Sequence, residues 1–208
     1  MADGVALAGW LLVAGTILGL APLANPSLLR VWMVSRAEHI TMVGAHRRAW
    51  YVHNAGFATA TVATIAGLAV LALVADVEDA ARAGLVAGTT AYAVGGVLWC
   101  AVLAIRARVT PAVADRSRAD PTADKTAGLL DEAQGGLFAA YILTTAVALV
   151  AIGIALAVGG QVSIVVAALA VVVGVLALVI QLATGDLVPA VLYLPTLALG
   201  IALLAGWT

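Results

Sequence analysis

Between Asn25 and Phe57 the chain reads NPSLLRVWMVSRAEHITMVGAHRRAWYVHNAGF. This stretch holds all three histidines, four of the ten Lys/Arg residues and two of the five tryptophans. Long apolar runs lie on both sides of it, so its reading decides the fold. Read as a loop, it merely joins two membrane helices. Read as a helix, it lies at the membrane surface and feeds directly into one of them.

The rest of the chain is apolar. Of 208 residues, 64% are hydrophobic and only 10% are charged, where a soluble domain carries about 25% charged residues. The class is an all-α integral membrane protein, a single polytopic domain over residues 1–208. The wealth of Ala, Val, Gly and Leu, with one lysine at Lys125, implies a GC-rich prokaryotic genome.

Six runs suit helices crossing about 30 Å of hydrocarbon, which takes roughly 20 residues each. They cover about 5–24, 55–75, 84–105, 136–158, 162–183 and 187–207. The first is read as a retained helix rather than a signal peptide, because no cation precedes it and the run is long. The fourth and fifth are joined by Gly159, Gly160 and Gln161, and the fifth and sixth by Thr184, Gly185 and Asp186. Links this short imply antiparallel neighbours.

Lys and Arg in short loops set orientation. Nine of the ten cations fall between the first two runs or between the third and fourth; the tenth, Arg82, sits beside Asp76, Glu78 and Asp79. The expectation is a multi-pass protein of the cell (inner) membrane with both termini extracytoplasmic. A cytoplasmic loop is expected over about 106–134, broken by Pro111 and Pro121, with Asp120 capping a short surface helix. Pro189 and Pro195 are expected to bend the last span. The pairs Gly15/Gly19 and Gly84/Gly88 each lie on one helix face and allow close packing in lipid. The expected partners are therefore the lipid bilayer and a protein partner or second copy docked through these small-residue faces, with no nucleic acid.

Within the six apolar cores there is no Asp, Glu, Lys, Arg or His. Proton- and ion-coupled transport usually needs such groups, so it is disfavoured. Threonines and tyrosines in the spans read as interhelical bonding groups or as donors to the i−4 carbonyl. The lone Cys100 has no disulfide partner and reads as a small apolar filler. No GxSxG, P-loop, HExxH or CxxC motif is present, and no catalytic residue is assigned.

The opening stretch is where a site belongs. Asn25 and Pro26 suit a helix start. Leu28, Trp32, Ser35, His39, Met42, His46, Ala49 and His53 then recur at alternating steps of four and three, one helix face. An interfacial amphipathic helix over about 26–43 is expected, bent at Gly44, with a second arm from His46 into the next span. Trp50 and Phe57 would edge the histidine stripe, and Trp50 and Tyr51 would sit at headgroup level. Histidines seven residues apart on a straight helix rise by about 10 Å, too far to share a metal. A bend could bring His39 opposite His46 or His53, where haem or a metal ion completed by Asp131, Glu132 or Gln134 would fit. The candidate ligand-binding residues are His39, His46, Trp50, His53, Asn54 and Glu132; metal ligation stays open. Three functional classes fit. The first is a non-catalytic accessory or lipid/ligand-binding protein. The second is a redox protein or enzyme using haem, metal or quinone. The third is a transporter or channel for a neutral or hydrophobic solute.

Overall fold

A computed structural model describes residues 2–21, 34, 36–116, 123–185 and 187–206. Every regular element among them is helical. The elements are α1 (Ala2–Leu20), α2 (Arg36–Ala45), α3 (Arg47–Val74), α4 (Asp79–Arg116), α5 (Ala123–Gly159) and α6 (Ile164–Thr184); a 3₁₀ turn (Pro189–Tyr193) then leads into α7 (Leu194–Ala205). Five helices, α1 and α3 to α6, are long and apolar enough to cross a membrane. Pro189–Ala205 is a shorter apolar helical segment.

Helix neighbours close a ring. α1 packs on α3 and α7, α3 on α4, α4 on α5, α5 on α6, and α6 on α7. α2 stands outside this order and lies mainly against α4. Glycines set the seams. A Cβ on Gly15 would sit 2.6 Å from Thr64 Oγ1 and 3.0 Å from Ala60 O. One on Gly88 would meet Ile152 Cγ1 at 2.6 Å. Gly19 faces Ala60 and Tyr193, and Gly84 faces Ala155. Both small-residue pairs thus face neighbouring helices of the same chain.

The threonines of the apolar helices bond to backbone and to one another. Thr61 donates to Phe57 O at 2.8 Å and Thr64 to Ala60 O at 2.9 Å, and Thr61 Oγ1 also lies 3.0 Å from the Tyr193 hydroxyl. Thr196 donates to Tyr193 O at 2.9 Å, with Thr16 Oγ1 3.4 Å from Thr196 Oγ1. Bonds to the i−4 carbonyl satisfy the hydroxyl without a partner helix; those around Tyr193 tie α1, α3 and α7 together.

Several expectations change. The described residues of the segment 106–134 are helical rather than a loop. α4 runs to Arg116 and α5 begins at Ala123, so each is about 55 Å long and outreaches a hydrocarbon core of about 30 Å. Mixed charges made this segment look like a solvated loop, but they suit the solvated end of a helix equally well. Pro111 lies within α4 with its ring buried; that burial offsets the lost hydrogen bond to the preceding turn. Pro189 opens the 3₁₀ turn and Pro195 sits in the first turn of α7, where the missing N–H has no helical acceptor to lose. They start elements rather than bend one. Gly185 ends α6 with φ +71° and donates to Gln181 O at 2.9 Å, a left-handed cap that a glycine adopts without strain. The Asp120–Pro121 cap lies outside the described residues.

Candidate functional site

The chain breaks between α2 and α3 at His46 (φ −123°, ψ 40°), two residues after Gly44. Trp50 N donates to His46 O at 3.0 Å, and His46 N to Met42 O at 3.0 Å, so each helix keeps its terminal bond across the break. Asn25, Pro26, Leu28, Arg30, Trp32, Met33 and Ser35 lie outside the described residues. The interfacial helix expected over about 26–43 is described only over Arg36–Ala45.

The break parts the histidines. His46 is exposed, His39 is half-buried, and His53 is 2% exposed. His39 does not face another histidine. Its ring meets Trp50 edge-on at 5.4 Å, and His53 stacks on Trp50 at 5.6 Å with the planes 12° apart. Trp50, fully buried, therefore lies between the two histidines rather than along their edge. A facing pair of axial ligands is not what this arrangement offers. No group of three His, Cys, Asp or Glu that could hold a metal forms among the described residues. Glu132 and Asp131 are exposed on α5, and Gln134 is half-buried.

The ladder continues inward. His53 meets Phe57 edge-on at 4.9 Å, Phe57 meets Trp99 of α4 at 6.0 Å, and Trp99 stacks on Tyr141 of α5 at 5.0 Å. Phe138 packs beside this last pair, 5.7 Å from Trp99. Aromatic pairs at such distances add about 0.5–1.5 kcal/mol beyond the area they bury. The rings thus run from α2 through α3 and α4 to α5.

Arg106 closes the outer end. Its guanidinium carbon lies 5.3 Å from the Trp50 ring centroid, and Trp50 Nε1 donates to Arg106 O at 3.0 Å. Burial, and then the Arg106 charge, push the His39 imidazole down to about 4 from its ordinary 6.5, because both penalise the protonated form. Asp131 is the carboxylate whose charge acts on Arg106. Beyond this cluster, Arg47 pairs with Asp115, joining the start of α3 to the end of α4. Met42, Val43 and Ala49 pack around Trp50 and hold α2 in place. Asn54, 3% exposed, donates through Nδ2 to Trp50 O at 2.7 Å. Its Oδ1 has no hydrogen-bond partner among the described residues. Leaving a buried acceptor unmade costs about 1–3 kcal/mol.

Arg106, Trp99, Phe138 and Tyr141 were not singled out from the sequence. A signal existed. Trp50 and Phe57 are seven residues apart, as are Trp99 and Arg106. Two antiparallel neighbours with that shared spacing bring Trp50 to Arg106 and Phe57 to Trp99. No known protein family matches the chain, and neither a curated protein nor a solved structure is detectably similar to it.

Proposed function

We propose that this chain is a multi-pass protein of a prokaryotic cell membrane that crosses the bilayer six times and serves as a non-catalytic accessory or ligand-binding protein. The sixth crossing is the 3₁₀ turn with α7. Five residues at about 2.0 Å and twelve at about 1.5 Å give about 28 Å, close to a hydrocarbon core of about 30 Å. The end carrying α2, Arg47, Arg106 and Arg116 is cytoplasmic by the positive-inside rule. The other end carries Asp76, Glu78 and Asp79. Single cysteines in a Cys100→Ala background test this: His46→Cys is expected to resist an impermeant thiol reagent on intact cells, and Glu78→Cys to react. The reverse pattern would overturn the orientation.

The ligand-binding reading is carried by Asn54. Its amide oxygen is buried without a partner among the described residues, one residue from the stacked His53 and at the depth where α3 enters the apolar region. Buried polar atoms are normally satisfied; an amphipathic ligand with a hydrogen-bond donor, lodged beside the ladder, satisfies this one. Solvent extraction of the purified protein followed by mass spectrometry tests it. We expect one amphipathic small molecule per chain, falling about tenfold in Asn54→Leu, since a lost buried bond of about 1.4 kcal/mol is a factor of ten. Equal occupancy in both proteins, or a Soret band in place of such a molecule, sinks the reading.

A further inference from the structure

α3 has an outward side that the ladder does not use. Arg48, Tyr51, Val52, Ala55, Thr59 and Val62 are all exposed; Arg48, Val52, Ala55, Thr59 and Val62 recur at steps of four and three, one stripe of a helix, with Tyr51 beside it, one turn from both Arg48 and Ala55. Tyr51 is 42% exposed, Val52 72% and Val62 61%. Arg47, the preceding residue, is engaged by Asp115. Arg48 has no ion-pair partner among the described residues. The stripe therefore has a cation at its outer end, a phenol one turn in, and apolar or small side chains below. Ala55, carrying only a methyl group, is smaller than Val52 and Thr59 on either side of it, so an acyl chain can approach the helix there; this is the trough that the site uses.

The geometry points to a site for one anionic phospholipid on this stripe, its phosphate against Arg48 and one acyl chain along Ala55 and Thr59. The inference rests on the reading that α3 spans a bilayer. From Arg48 to Val62 the helix rises about 21 Å, enough for a headgroup and the depth of one leaflet of a core about 30 Å thick. Tyr51 falls where an amphipathic ring prefers to sit, between headgroup and chain. Charge selects the headgroup. A zwitterionic lipid brings a cation of its own toward Arg48, whereas an anionic one leaves the attraction uncompensated, in a region where each Arg counts separately. Arg48 and Ala55 face away from the ring, so changing them leaves the packing of the helices untouched.

The test is lipid retention by the full-length detergent-extracted protein, offered equal phosphatidylglycerol and phosphatidylcholine and read by native mass spectrometry. Wild type is expected to retain phosphatidylglycerol over phosphatidylcholine by about fivefold. Arg48→Gln should bring that ratio near one, and Ala55→Phe should block the trough and lower retained phosphatidylglycerol. Arg116→Gln, at the exposed end of α4, should keep the wild-type ratio. Equal retention by wild type, or a preference that survives both Arg48→Gln and Ala55→Phe, overturns the site. A chain released from membranes by alkaline washing without detergent overturns the spanning reading itself, and with it the site.

Discussion

Replacing Gly153 with leucine is expected to part α5 from α6 and to cost the protein most of its resistance to thermal unfolding in detergent. A Cβ at Gly153 would lie 2.7 Å from Ala167 O and 3.0 Å from Val171 N. Gly174 returns the contact from α6: its Cβ would lie 2.6 Å from Ala146 O and 3.2 Å from Val150 N. These obstacles are backbone atoms and cannot rotate aside. Overpacking typically costs about 1–3 kcal/mol, and Gly153→Ala should fall in that range. Leucine adds three more carbons to the same clash and should exceed it. Gly135 is the control. Nothing lies within 4 Å of its Cβ position, so Gly135→Ala should be neutral or gain up to about 1 kcal/mol of helix propensity. A Gly153→Ala protein as stable as wild type would show that this seam is not close-packed.

The seams matter for the site because, in the bilayer proposed for this chain, lipid supplies no hydrophobic drive between helices. Association depends on close van der Waals approach and on interhelical hydrogen bonds. α4 and α5 meet through Gly84, Gly88 and Gly95, the last with Thr145 Oγ1 2.5 Å from its Cβ position. That register places Trp99 against Tyr141 one turn further along. Glycine seams thus set the depth of the inner ladder, while Arg47–Asp115 and Trp50–Arg106 set the outer end.

Five long apolar helices were legible because a run of about 20 apolar residues marks a helix long enough to cross a membrane. The break ahead of α3 falls at His46, two residues from Gly44, where a glycine allows the chain to bend. Helix ends were less legible. α4 runs on to Arg116 and α5 begins at Ala123, both well beyond their apolar runs, since a helix continues for as long as its backbone bonds are kept, whatever the polarity of its side chains. The site was half legible. Periodicity put His39, His46 and His53 on one face with Trp50 at its edge, but periodicity describes one helix, and Arg106, Trp99 and Tyr141 come from two others. Nor could spacing show that Trp50 would separate the histidines; that depends on the turn taken at His46.

Trp50→Ala is expected to release α2. Removing a fully buried tryptophan costs about 3–5 kcal/mol. Here it also removes the hydrogen bond to Arg106 O and the ring that His39, His53 and Arg106 share. Trp50 is the centre of the small cluster in which Met42 and Val43 of α2 are packed, so α2 should detach while the helix ring stays folded. Trp50→Phe keeps a ring but loses the indole donor, and should weaken docking by about 1 kcal/mol. His39 reports the event. Docked, it is held near 4 by burial and by Arg106; released, it returns toward 6.5. Between those values the released form carries the extra proton, so acid favours release. Docking should be at full strength above about pH 6.5 and weaken steadily as the pH falls toward about 4. Proteolysis within α2, followed against pH, should rise over that window in wild type. In Trp50→Ala it should be high and flat throughout, and in His39→Gln, which cannot gain the proton, it should stay flat across the same window. A wild-type profile without slope there would mean that His39 is not held against Trp50 and Arg106 when the protein is in its membrane.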